Sequence, residues 1–155
     1  MTKIIVVSDS HGLRKELRMI REKHPEADAY LHCGDSELDK SHLDGWVSVL
    51  GNMDFYVYPK ELVIKVNDVN VYMTHSHLID YRDRTKLVAK EAARRHCKIA
   101  LFGHSHLYFC EEIDGIVCVN PGSLRYNRDR SLPSYAIIDI DSDQNVSVRR
   151  INLES

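Results

Sequence analysis

Lys3-Ile4-Ile5-Val6-Val7-Ser8-Asp9-Ser10-His11-Gly12-Leu13 decides how the rest of this chain reads. Ile4 to Val7 is an apolar β-branched run of strand length, and it stops at small polar residues that favour a turn. Beyond the turn, Leu13, Leu17 and Ile20 recur at helical spacing, and Pro25 closes that segment soon after Lys23. The stretch therefore opens a βα unit and leaves Asp9 and His11 just past the C-terminal end of a strand.

The same arrangement recurs along the chain. Tyr30 to Cys33 predicts a second strand before Gly34-Asp35, and Val47 to Leu50 a third before Gly51-Asn52. Leu62 to Val66 and Val69 to Met73 flank Asn67-Asp68, a good hairpin turn, so pairing is expected to change there from parallel to antiparallel. Arg84 to His96 has the spacing of a second helix, and it leads into Lys98 to Phe102 and then Gly103-His104-Ser105-His106. The remainder alternates strands and turns: Tyr108 to Ile113, Asp114-Gly115, Ile116 to Val119, Asn120-Pro121-Gly122-Ser123, Tyr135 to Ile140 and Val146 to Ile151. A terminal meander is the expectation. Tyr126 to Pro133 is polar enough to be a surface loop, and no repeat or linker interrupts the pattern, so residues 1–155 read as a single domain.

Composition narrows the function. With 21 Lys and Arg against 23 Asp and Glu, bulk charge gives no reason to expect nucleic acid as a primary partner. Cys33, Cys97, Cys110 and Cys118 form no CxxC pair and are expected to be reduced core residues, which points to a reducing, cytoplasmic compartment. The Lys3 to Val7 run is too short for a signal sequence or membrane span.

Of nine histidines, His11, His75, His77, His104 and His106 lie in motifs, whereas His24, His32, His42 and His96 read as ordinary surface or packing residues. Asp, Asn and His are oxygen and nitrogen donors for divalent metals. Two such ions about 3.5 to 4 Å apart repel one another and require an anionic bridge. Asp35 suits the bridge, because Gly34 permits the tight turn that aims its carboxylate along the sheet edge. Asp9, His11 and His106 would complete one metal, and Asn52, His75 and His104 the other.

The ordered set Asp9-x-His11, Gly34-Asp35, Gly51-Asn52, His75 and Gly103-His104-x-His106 resembles the signature of the calcineurin-like metallophosphoesterase superfamily. It is most similar to the compact single-domain phosphodiesterases of bacteria and archaea, which also carry an Asn-Pro-Gly-Ser turn, here Asn120 to Ser123. The resemblance implies a four-layer α/β/β/α sandwich of two mixed sheets flanked by helices. It also implies two divalent ions, first of all Mn²⁺ with Ni²⁺, Fe²⁺, Co²⁺ or Zn²⁺ as substitutes. Asp9, His11, Asp35 and His106 would surround one ion, and Asp35, Asn52, His75 and His104 the second. Many relatives place His after Gly-Asn to protonate the leaving group or hold the phosphate, but this chain has Met53. Ser76 likewise stands where Gly usually separates the two histidines.

In such a site a bridging water loses a proton readily and attacks phosphorus in line with the departing oxygen. Ser8, Ser10, Ser105 and Ser123 then read as turn residues, since no triad order appears. His77 and Asp54 are the nearest candidates for general acid catalysis, while the loop Arg125 to Arg130 after Ser123 reads first as a solvated charged loop and second as guanidinium groups, Arg125 above all, for phosphate contact. The expected substrate is a small phosphodiester. A phosphomonoester is the runner-up, followed by a non-catalytic scaffold like the retromer subunit that shares this fold. A homodimer through an exposed strand is compatible with the sequence.

Overall fold

The computed structural model describes residues 1–153. Of the single domain expected over residues 1–155, residues 154 and 155 lie outside the described part. The chain runs β1 (Thr2–Val7), α1 (Arg14–Lys23), β2 (Ala29–His32), β3 (Val47–Ser48), β4 (Glu61–Val66), β5 (Val69–Thr74), α2 (Arg84–Arg94), β6 (Ile99–Leu101), β7 (Tyr108–Ile113), β8 (Ile116–Pro121), β9 (Ser134–Ile140) and β10 (Val146–Asn152). One five-stranded sheet has the order β10-β9-β1-β2-β3, and a second has the order β4-β5-β6-β8-β7. Both are mixed. β1 is parallel to β2 and antiparallel to β9, and β6 is parallel to β5 and β8 while β7 runs antiparallel to β8.

Strand alternation builds the layers. On β1, Ile4 and Val6 face the second sheet, where they join Leu31, Val71, Met73, Ile99, Leu101 and Val119 in a core between the sheets. Ile5 and Val7 point the other way, onto Leu17 and Ile20 of α1 and onto Trp46 and Ile137. On the second sheet Tyr72, Ala100 and Phe102 face outward onto Val88, Ala89 and Ala92 of α2. The result is the expected α/β/β/α sandwich. β1 and β9 are apolar on both faces because each face is covered, which accounts for continuous runs where a solvated strand would alternate.

Four expectations are corrected. The terminal strands do not form a meander: β7 and β8 close a hairpin over Asp114-Gly115 in the second sheet, whereas β9 crosses to the first sheet and pairs with β1. The hairpin of β4 and β5 is antiparallel as expected, yet it opens the second sheet instead of extending the first. Local sequence dictates a hairpin, but sheet membership depends on which distant strand leaves an apolar edge to pair. Helix α2 stops at Arg94, before the expected His96, whose φ of 60° lies in the left-handed region. Of the cysteines, Cys33, Cys97 and Cys118 are buried, but Cys110 is exposed on β7, an edge strand.

Candidate metal centre

The loops that leave β1 and β2 run side by side and extend the parallel pairing beyond the strands. Asp9 N–H donates to Gly34 O (3.0 Å), His11 N–H to Asp35 O (2.9 Å) and Gly12 N–H to Ser36 O (2.7 Å). To make these bonds and still project their side chains, Asp9, His11 and Asp35 take φ of 51°, 45° and 61°. His104 and His106 do the same at 73° and 57°. Left-handed backbone costs a residue with a Cβ roughly 1 to 2 kcal/mol, and such strain persists where the surroundings over-determine it. Here the cost falls on five of the seven candidate ligands.

Crowding explains the glycines. A Cβ on Gly51 would lie 2.1 Å from Asp35 Oδ1, and one on Gly103 would lie 2.0 Å from Ser8 Oγ. Each glycine lets one loop press against the carboxylate-bearing loop beside it.

The seven side chains form two adjoining groups. Asp9, His11 and His106 offer ligand atoms within 4.8 Å of one another, and so do Asp9, Asp35 and His75. Asn52 Oδ1 joins the second group, 3.0 Å from His75 Nε2 and 3.1 Å from His104 Nδ1. The carboxylate common to both groups is Asp9: its Oδ1 lies 3.2 Å from His106 Nε2 and 3.7 Å from His75 Nε2. Asp35, assigned the bridge from sequence, sits with the second group, with Oδ2 3.2 Å from His75 Nε2 and Oδ1 accepting from Met53 N–H (2.7 Å).

Hydrogen bonding shows that a cation fits these groups. His75 Nδ1 donates to Cys33 O (2.7 Å), His106 Nδ1 to Tyr126 O (3.1 Å) and His11 Nδ1 to Glu37 Oε1 (2.5 Å). Each ring therefore turns an unprotonated Nε2 into the centre. The Nε2 atoms of His11 and His106 face each other at 3.4 Å, and that of His75 faces three oxygens. Lone pairs so arranged repel unless a positive charge lies among them. Asp9 makes the same point, since Oδ2 accepts from Ser8 Oγ (2.6 Å) and His104 N–H (3.1 Å) while buried Oδ1 has no hydrogen-bond partner among the described residues.

The electrostatics follow. Burial opposes the Asp9 carboxylate, but His106 and His75 outweigh it and hold the pKa at about 2. Burial likewise opposes charge on His75, yet Asp35 and Asp9 win and raise its pKa. His104 is pushed down to about 4, by burial and then by His75 and Arg84, so its imidazole is neutral and fit to ligate at neutral pH.

The expected general acids separate. Asp54 spends both oxygens on main-chain N–H groups, those of Asp35 (3.0 Å), Gly51 (2.8 Å) and Glu37 (2.8 Å). It clamps the ligand loops together. His77 lies with its ring centroid 5.4 Å from that of His75 and 6.2 Å from that of His104. Burial, then His75, lowers its pKa.

Sequence reading missed two residues. Glu37 orients His11, and no periodicity signals that a loop carboxylate will fold back two residues beyond Asp35. His32, taken as an ordinary packing residue, is fully buried beneath the loops. Its Nδ1 accepts from Gly34 N–H (3.0 Å) and its Nε2 donates to Ser10 Oγ (2.8 Å), tying the two loops together. A polar ring ending an apolar strand just before Gly34-Asp35 was the available signal. The serines act as turn residues: Ser123 Oγ donates to Asp9 O (2.8 Å), and Ser105 Oγ accepts from Asn120 Nδ2 (3.0 Å).

The centre opens into a cavity of about 450 Å³ lined by His11, Asp35, Asn52, Met53, His104, His106, Arg125 and Arg128, with Glu37 and Tyr126 at its wall.

Residues 2–143 match the model of the calcineurin-like phosphoesterase superfamily domain. The probable metallophosphoesterase YsnB of Bacillus subtilis (strain 168) is 37% identical over 144 residues, 90% of this chain and 85% of that one. A conserved uncharacterised protein of Streptococcus pneumoniae TIGR4, described as a predicted phosphoesterase, superposes with a TM-score of 0.85 at 31% identity over 98% of both chains. Vacuolar protein sorting 29 of Cryptosporidium parvum shares the fold alone, at a TM-score of 0.72 and 15% identity over 98% of both chains.

Proposed function

The chain belongs to the calcineurin-like phosphoesterase superfamily, whose members of this kind are metal-dependent phosphoester hydrolases, and we propose that it is a binuclear phosphodiesterase acting on small substrates. The observation that carries this reading is the meeting of His11, His75 and His106 Nε2 atoms with the Asp9 and Asp35 carboxylates, every imidazole having already committed its other nitrogen.

In the proposal Asp9, His11 and His106 would hold one divalent ion and Asp35, Asn52, His75 and His104 the second, with the Asp9 carboxylate common to both groups and Mn²⁺ the first choice. Once bound, the ions supply an acidified water and neutralise phosphoryl charge. The protein's own side chains do the rest. Arg125 and Arg128 line the cavity and present guanidinium groups to the phosphoryl oxygens, with Arg125 steadied by donation to His11 O (3.0 Å). Met53 offers an apolar wall where a protonated group would otherwise meet the departing oxygen. His77 is the remaining candidate acid, and its lowered pKa makes it a poor proton donor at neutral pH. Among the described residues no helix is long and apolar enough to cross a membrane. A cytoplasmic enzyme without nucleic acid as a primary partner is the reading we carry forward.

Hydrolysis of bis-p-nitrophenyl phosphate and p-nitrophenyl phosphate by metal-stripped protein, with Mn²⁺ restored and Asp35→Asn as control, tests this. Metal-dependent diester cleavage lost in the variant is the expected result. Preference for the monoester replaces the diesterase reading, and absence of turnover with every metal replaces it with the scaffold.

A further inference from the structure

A second cavity, of about 680 Å³, adjoins the metal centre and shares His104 and Arg128 with it. Its floor and walls include His77, Arg84 and Ser105, and its rim carries Leu78, Tyr81 and Leu107, which are 71%, 76% and 40% exposed. Arg84 is the unusual residue. It is half-buried, and its Nε is buried with no hydrogen-bond partner among the described residues. Of the four half-buried arginines among the described residues, Arg14 finds Asp44, Arg95 finds Glu91 and Glu61, and Arg150 finds the Ser131 hydroxyl and the Tyr108 ring. Arg84 instead has Arg128 as its charged neighbour, and both burial and that neighbour lower its pKa.

Asp80, the single carboxylate lining this cavity among the described residues, is already engaged. Its oxygens accept from the main-chain N–H of Arg82 (3.0 Å) and from the Arg82 guanidinium (3.0 and 3.3 Å). The ionisable groups that line the cavity among the described residues are therefore His77, His104, Asp80, Tyr81, Arg84 and Arg128, and the charge left over is positive. A half-buried guanidinium without a counterion costs free energy, the more so with the exposed Arg128 guanidinium lining the same cavity, and an anion received there would repay it. The exposed apolar rim adds contact surface for an organic group.

We propose that this second cavity is an anion-binding subsite that takes a phosphate, phosphonate or carboxylate carried on one ester arm of the substrate. Placement of that arm rests on the phosphodiesterase reading above, whereas the anion site itself does not. A diester seated at the metal centre has two arms, and the opening past His104 and Arg128 receives one of them.

The test has two arms of its own. The first compares kcat/KM of the Mn²⁺-loaded protein for p-nitrophenyl phenyl phosphate with that for analogues whose phenyl group carries a 4-phosphono or 4-carboxy substituent. A preference of about tenfold for the charged analogues is expected, equivalent to ~1.4 kcal/mol. It should fall below about threefold in Arg84→Gln and in Arg128→Gln, the ratio and not the absolute rate being the readout. Relative rates for phosphonate and carboxylate identify which anion is preferred. The second arm titrates phenylphosphonate into metal-free protein by calorimetry, with binding expected to weaken about tenfold in each variant. Arg128 is exposed, so its variant keeps the test open should Arg84→Gln fail to fold. Equal binding by wild type and variants overturns the subsite, as does a charged-to-neutral ratio near one in an active wild-type enzyme. Arginine-dependent binding with no diester turnover upholds the subsite and removes the phosphodiesterase reading.

Discussion

At the scale of single residues, the centre depends on side chains that are not themselves candidate ligands. Glu37 holds the His11 ring through Nδ1, so Glu37→Gln should weaken metal binding at the Asp9, His11 and His106 group by about 10- to 100-fold, measured by competition with a chelator. Unchanged affinity would mean that His11 is oriented by packing alone. His32 lends itself to a pH experiment. Burial lowers its pKa to about 4, well below the ordinary 6.5, so between those values the unfolded chain binds the extra proton. Stability should therefore rise with pH across that window, with up to about 3 kcal/mol traceable to His32. Denaturant titrations at several pH values should show a shallower profile for His32→Asn, and parallel profiles would refute this account. Asp9, His11 and Asp35 were legible in the sequence because each stands where an apolar run ends. Glu37 and His32 were not, because their roles follow from a loop turning back.

At the scale of elements, the strand ends matter more than the strands. β2 and β3 are short, of four and two residues, yet they bring Asp35 and Asn52 to the edge already occupied by Asp9 and His11. Gly51 lets the loop after β3 approach the Asp35 carboxylate and main chain, with an added Cβ 2.1 Å and 2.4 Å from their nearest atoms. Gly51→Ala should cost about 1 to 3 kcal/mol in urea unfolding and should reduce metal affinity, because the carboxylate has to move. A stable variant with full metal affinity would show that the loop relaxes freely. The strands themselves were read closely from apolar periodicity, while α2 and the terminal strands were read less well. Where a helix stops depends on its cap, and which sheet β9 joins depends on β1, a pairing of residues more than a hundred positions apart.

At the scale of the whole molecule, the loops that hold the candidate ligands after β1, β2, β3, β5 and β6 draw on both sheets, so the centre lies where the two sheets' edges meet. With Met53 on one wall and His77 poorly protonated, the rate should follow the leaving group. A series of p-substituted phenyl diesters should give a steep fall in kcat/KM as leaving-group pKa rises, about tenfold for each 1.4 kcal/mol added to the barrier. A flat plot would show that an acid protonates the departing oxygen. His77→Ala should leave the steep plot unchanged, and a steeper one would return His77 to the mechanism. The amino-acid sequence by itself determined the strand and helix pattern, the α/β class and the order of the seven metal-ligand candidates, because apolar periodicity and motif position are local properties of a chain. Tertiary structure alone decided that Asp9 is the carboxylate shared by both groups, that Asp54 clamps loops, and that Arg84 and Arg128 line one cavity beside His104. Each of these is a distance between residues far apart in the chain, and no local pattern encodes such a distance.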